Sequence, residues 1–234
     1  MTTLVIDTAT NLEIIAACSG NKSAEASGFV DTSHSITILD NVDRCLKKLK
    51  ITIGDIDVIG VGIGPGSFTG IRIAVSTGRM LAQILEKPLV GIKTQLLYAV
   101  SVKALEGDNI LIAFDAKKNR VFGALYRKSD DTFRPREIIP PGDYSIQELI
   151  ESIDTSRTTH MAGSGIDKYG AIINPAVENK TILHEFIPGG KIMCDLVFNS
   201  YRDDPGKYID YNRVTPFYAR KSDAEAAKGI IKPD

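Results

Sequence analysis

The stretch Gly64-Pro65-Gly66-Ser67-Phe68-Thr69-Gly70-Ile71-Arg72 is the first place in this chain where chemistry could be done. Glycines ahead of a helix let backbone N–H groups and the positive helix end face an anion, which makes Gly64, Gly66, Ser67 and Thr69 a candidate anion nest. The specific nucleotide patterns are not met. Ile71-Arg72 follows Gly70 where a Walker A loop needs Lys and then Ser or Thr, and Ser67 or Thr69 stands where a dinucleotide loop needs its third glycine. Two readings stay open: a strand-to-helix turn capped by Thr69 or Ser67, and a nest for an anion or a substrate carboxylate.

A second constellation is paired. Asp7-Thr8-Ala9-Thr10-Asn11 and Asp115-Ala116-Lys117-Lys118-Asn119 each lie between two apolar runs, with Asn four places after Asp. In a duplicated fold Asp7 and Asp115 would face each other across a cleft as acids; alternatively each Asp shapes its own turn by accepting nearby backbone N–H groups. Lys117, Lys118, Arg120, Arg127 and Lys128 against Asp115 make the second hairpin locally positive. That is either a solvated face or a contact for phosphate in a partner's substrate.

Other chemistries find little support. His34, His160 and His184 are far apart and match no zinc-ligand spacing, so no metal site and no cofactor is expected. Cys18, Cys45 and Cys194 include no C-x-x-C pair and sit in apolar surroundings, which favours reduced thiols and a cytoplasmic location. Lys plus Arg total 28 against 29 for Asp plus Glu, a net charge of −1. Nucleic acid held by bulk charge requires a basic excess, so any contact with RNA would be local or made by a partner. Asp7 interrupts the apolar core that an export signal would need, and no window approaches the roughly 20 apolar residues of a membrane span.

The elements that must position these residues read as α/β. The chain has 234 residues, 43% of them hydrophobic, enough for one or two cores. Leu4–Ile6 and Leu12–Ala17 predict a hairpin, Ser23–Val30 a third strand, Asp57–Ile63 and Pro88–Ile92 buried strands. Apolar residues at three- and four-residue spacing predict helices from Ser33 or Ser35 (the capping candidates) to Leu49 and from Ile71 to Leu85. Leu111–Phe114 and Val121–Tyr126 repeat the opening hairpin, which sets a boundary near Gly107: one subdomain over 1–107 and a second over 108–234, with a tail from about residue 205 returning to the first. Further on, Ser145–Ile153, Gly189–Tyr201 and Ser222–Lys228 read as helical, Thr159–Ala162 as a strand and Tyr201–Pro216 as irregular. Gly70, Ala74, Gly78 and Ala82 form a stripe of small residues that either packs on the protein's own sheet or lets a partner helix approach.

The glycine stretch, with Pro88-Leu89-Val90-Gly91-Ile92, Ile6-Asp7-Thr8-Ala9, Asp115-Ala116-Lys117 and the ending Pro216–Glu225, resembles the TsaB (YeaZ) family. The resemblance implies a duplicated ASKHA (actin/Hsp70-like ATPase) fold, two α/β subdomains with mixed sheets covered by helices. It also implies a non-catalytic role beside a TsaD-type catalytic subunit and a TsaE-type ATPase. Together these move threonylcarbamoyl from threonylcarbamoyl-AMP to adenosine 37 of tRNAs that read codons beginning with A. The related TsaD pattern carries two metal-binding histidines where this chain has Thr94 and Tyr98. Glycine is also missing from both leading turns, where kinases and ATPases of this fold approach phosphate. The expected pairing face, for a partner or for a homodimer, comprises Ile38, Val42, Cys45, Gly70, Ile71, Ala74, Gly78 and Ala82. The rival reading is a stand-alone enzyme, an ATP-dependent kinase or a TsaD-like metalloenzyme or peptidase.

Overall fold

In β1 (Thr2–Asp7) every residue is buried, and in β2 (Leu12–Ser19) all but the last. Strands covered on both faces read as continuous apolar runs, which is why Leu4–Ile6 and Ile14–Ala17 show no polar alternation. The computed structural model describes residues 1–29, 34–177, 181–184 and 189–220. Val30, the capping candidate Ser33 and the helix expected over Ser222–Lys228 lie outside them.

The first sheet has the order β3-β2-β1-β5-β6, with β3 at Lys22–Glu25, β5 at Val58–Gly62 and β6 at Leu89–Ile92; β4 (Gly28–Phe29) adds to β2. The second has the order β9-β8-β7-β10-β11, with β7 at Asn109–Asp115, β8 at Val121–Arg127, β9 at Arg136–Tyr144, β10 at Thr159–Ala162 and β11 at Thr181–His184. In each, the leading strand pairs antiparallel with the second and parallel with a later one. Strand for strand the second sheet repeats the first: this is the duplicated ASKHA-type α/β arrangement.

Alternate residues of β1 and β2 serve different layers. Leu4, Ile6, Ile15 and Ala17 face α1 (His34–Leu49) and α2 (Phe68–Leu85), while Val5, Ile14, Ala16 and Cys18 face the space between the sheets. That middle layer holds α3 (Thr94–Ser101) and α6 (Gly190–Asp203), together with Ile110, Ile112 and Phe114 of β7. The outer face of the second sheet is covered by α4 (Ile146–Glu151) and α5 (Ser164–Val177). The chain returns to the first sheet at α6, whose Val197 fills the space that Gly60 leaves open.

Among the described residues, the α-helices and strands that escape the sequence reading are α3, α5, β9 and β11. The β9 run Arg136-Glu137-Ile138-Ile139-Pro140-Pro141-Gly142 holds two prolines, which a ladder tolerates only at an edge. β9 is that edge, with register shifts against β8.

Candidate functional site

The glycine stretch ends β5 and opens α2. Ser67 caps the helix by accepting the Gly70 N–H at 3.3 Å, and its own N–H donates to the Ala9 carbonyl at 2.6 Å. Thr8 Oγ1 donates to the Gly70 carbonyl at 2.7 Å. A Cβ at Gly66 would run into the Ala9 carbonyl and one at Gly70 into that of Thr8, so these glycines exist for backbone-to-backbone contact with the β1–β2 turn. Two N–H groups of the proposed nest, those of Gly64 and Ser67, are spent on protein oxygens, which favours the capped turn over the anion nest. Thr69 lies exposed on the first helical turn, and Gly64 is held from below.

That support is α3, which the sequence reading missed. Thr94 N–H donates to the Gly64 carbonyl at 2.9 Å while Thr94 Oγ1 accepts the Gly64 N–H at 3.3 Å. Gln95 Nε2 reaches Pro65 O at 3.1 Å in the first half and Phe122 O at 3.3 Å in the second, a buried amide joining the two. Tyr98 packs edge-on against Phe114 at 4.7 Å between centroids and shares a hydrogen bond of 3.3 Å with Thr10 Oγ1. Burial pushes the Tyr98 phenol well above its ordinary value, the Thr10 hydrogen bond offsetting this in part, so it stays protonated. Thr94 thus braces the glycine turn, and Tyr98 the β1–β2 turn through Thr10.

Both Asp residues shape turns. Asp7 Oδ1 accepts the Ala9 N–H at 2.7 Å and Asp115 Oδ1 accepts the Lys117 N–H at 2.9 Å, the same bond at the same offset. The two do not face each other as an acid pair. Asp7 is 1% exposed and stays behind the turn, while Asp115 lines the cleft, gripped through both oxygens by Lys168 Nζ at 2.9 and 3.0 Å. Burial raises the Asp115 carboxyl, but the Lys168 ammonium and the Lys117 N–H outweigh it and hold it below its ordinary value. Lys117, Lys118 and Asn119 all take left-handed backbone angles, which projects the two lysines outward. Only Lys117 of the pair lines the cleft.

The cleft, of about 670 Å³, is walled by Thr10, Ser67 and Phe68 from the first half and by Asp115, Lys117, Phe122 and Lys168 from the second. Its rim is the segment Pro216–Arg220. Phe217 N–H donates to Ile63 O at 2.8 Å, Tyr218 stacks on Phe68 at 4.5 Å and accepts from Arg72 Nε at 2.8 Å, and Arg220 donates to Ala116 O at 2.6 Å. This strap ties both halves. The signal for it, an aromatic pair flanked by Pro and Arg in an otherwise irregular tail, was present in the sequence but had no partner there to meet.

The expected pairing face requires correction. Ile38, Val42, Cys45, Gly70, Ile71, Ala74, Gly78 and Ala82 are all buried under the protein's own first sheet. A Cβ at Gly78 would strike Val61, so the small-residue stripe seats α2 on β5. What α1 and α2 leave outward is another set: Leu39 is 51% exposed, Met80 42% and Ile84 69%. Ile73, Thr77, Met80 and Ile84 fall on one helix face, beside an open groove of about 560 Å³ between α1 and α2. Among the described residues no cluster of three His, Cys, Asp or Glu side chains is placed to hold a metal ion, and no helix is long and apolar enough to cross a membrane.

A family model described as TsaD, tRNA N6-adenosine threonylcarbamoyltransferase, matches residues 26–177. The tRNA threonylcarbamoyladenosine biosynthesis protein TsaB of Haemophilus influenzae is 27% identical over 94% of each chain, and that of Bacillus subtilis 24% over 97% of each. In fold, the chain is similar to YeaZ from Pseudomonas aeruginosa, with a TM-score of 0.78 at 20% identity over 93% of this chain and 99% of that one. Within the wider family that the transferase model describes, this chain belongs to the TsaB (YeaZ) family.

Proposed function

We propose that the chain is a non-catalytic subunit in the making of threonylcarbamoyladenosine on tRNA, working in the cytoplasm. It pairs with a TsaD-type catalytic subunit, and with itself when alone, while a TsaE-type ATPase completes the assembly. Transfer of threonylcarbamoyl from threonylcarbamoyl-AMP to adenosine 37 takes place on the partner, and tRNA meets this chain locally or through that partner, in keeping with a net charge of −1.

The observation that carries the reading is the use of Thr94 to brace the glycine turn and of Tyr98 to hold Thr10 of the β1–β2 turn, at positions where a catalytic relative would hold metal. The face offered for pairing is the strip Ile73, Thr77, Met80 and Ile84 with Leu39, rather than the buried stripe. Light scattering on a mixture with the TsaD-type counterpart is expected to give a complex that Ile84→Glu dissolves. Depleting the protein in its host is expected to remove the tRNA modification. ATP turnover by the isolated chain with no complex would establish the stand-alone enzyme instead.

A further inference from the structure

The cleft continues into a second chamber of different chemistry. This chamber, of about 520 Å³, shares Thr10, Asn11, Phe114 and Ser164 as walls with the first. In the first chamber Lys168 is taken up by Asp115 at 2.9 Å. Asp143, which Arg220 approaches to 3.9 Å, is already bonded to Arg120 at 2.9 Å. Lys117 and Arg220 are therefore the cations in excess there, beside the rings of Phe68, Phe122 and Tyr218.

The second chamber is lined by Leu12, Phe29, Tyr98, Met161, Ile166 and Leu183. Phe29 is 71% exposed and Leu183 58%, so each half of the molecule leaves a large apolar side chain at this opening. Among the described residues its one charged wall is Asp167. Small-molecule sites pair a mainly apolar enclosure of roughly 300–1,000 Å³ with a few placed polar groups, often where two domains meet. Cations in one chamber and apolar walls in the next ask for a ligand with an anionic head and an apolar tail.

We propose that the two chambers form one binding site for a medium-chain fatty acid, its carboxylate at Lys117 and Arg220 and its tail among Leu12, Met161 and Leu183.

The walls set both the orientation and the class. Asp167 would repel a carboxylate from the apolar chamber, so the head belongs with the cations. Arg220 spends one guanidinium nitrogen on Ala116 O at 2.6 Å and keeps other N–H donors for the head. The Gly64 and Ser67 N–H groups are committed to protein oxygens, so a chain of phosphates would lack a backbone cradle, whereas a carboxylate needs only the two side-chain cations.

The test is calorimetric titration of the full chain with hexanoate, octanoate and decanoate, each below its micelle concentration. One site per chain is expected, tightening about fourfold for each added methylene. Octyl glucoside and octylamine, with the same tail and no anionic head, should bind about tenfold or more weakly than octanoate. Lys117→Glu should weaken all three acids by a common factor of about ten and keep the increment per methylene. Asn11→Trp, in the wall that the chambers share, should remove that increment. Both positions are exposed, so each variant is expected to melt as the parent does without ligand. Absence of saturable decanoate binding would overturn the proposal, as would an affinity indifferent to tail length or to the charge of the head. ATP bound more tightly than decanoate would give the cleft to a nucleotide instead. Capture on phosphatidylglycerol vesicles without binding of the free acids would overturn it in favour of a membrane lipid.

Discussion

At the first leading turn Asp7 is 1% exposed, and Thr8 and Ala9 beyond it are clamped by Gly70 and Ser67; at the second, Asp115 keeps 27% of its side-chain surface and is held by Lys168. Each half braces its leading strand with a glycine-bearing turn that follows a parallel strand. In the second half that turn is Gly163-Ser164-Gly165, whose glycines crowd the Ala113 carbonyl while Ser164 Oγ accepts the Asp115 N–H at 3.1 Å. The contact falls before the Asp in the second half and after it in the first. A shift of a few residues in where two backbones touch therefore seals one turn and opens the other, although the strand order is the same.

Substitutions at the two braces should separate the halves most strongly. Gly70→Val is expected to cost about 3 kcal/mol or more, since its side chain meets backbone that has nowhere to go, and Gly165→Ala about 1–2 kcal/mol, because its Cβ would stand 3.0 Å from Ala113 O. Urea midpoints decide; equal losses would mean the first turn is no more sealed than the second. Next comes the helix that covers the first sheet. Gly78→Leu is expected to destabilise by about 3 kcal/mol through its clash with Val61, while Ile84→Glu shifts stability by less than about 0.5 kcal/mol and abolishes pairing. A stable Gly78→Leu chain that no longer pairs would return the small-residue stripe to the interface.

The strap that joins the halves ranks third. Tyr218→Ala removes the stack on Phe68 and the Arg72 hydrogen bond at a half-exposed site, worth about 1 kcal/mol in thermal unfolding. The smallest effect is that of pH on the open turn. Asp115 has a carboxyl lowered in the folded chain from an ordinary 3.8, so its contribution is complete above that value and is lost as pH falls through the lowered one. An NMR titration of Asp115 that moves up toward 3.8 in Lys168→Met checks the assignment; an unmoved midpoint would mean that the ammonium does not hold it.

Much of the scaffold was legible because its signals are local. The hairpins, α1, α2 and the strands of the first half follow from apolar runs, helical spacing and turn residues, and the repeated Asp-to-Asn spacing marked the duplication. The same locality explains the misses. The Thr94–Ser101 helix is short and almost entirely buried, so it shows no polar face, and β9 carries prolines that an edge alone permits. The pairing face was misread because spacing places Gly70, Ala74, Gly78 and Ala82 on one side of a helix without saying which side meets the sheet.

By itself the amino-acid order determined an α/β chain built twice from one plan, with Asp-led turns and a glycine stretch between strand and helix, since these depend on neighbours within a few residues. Only the assembled layers decided that the glycines meet the Thr8 and Ala9 carbonyls and that Asp7 is shut away while Asp115 is not. Those outcomes depend on how closely separate backbones approach, a distance set by the packing of whole sheets and helices against one another.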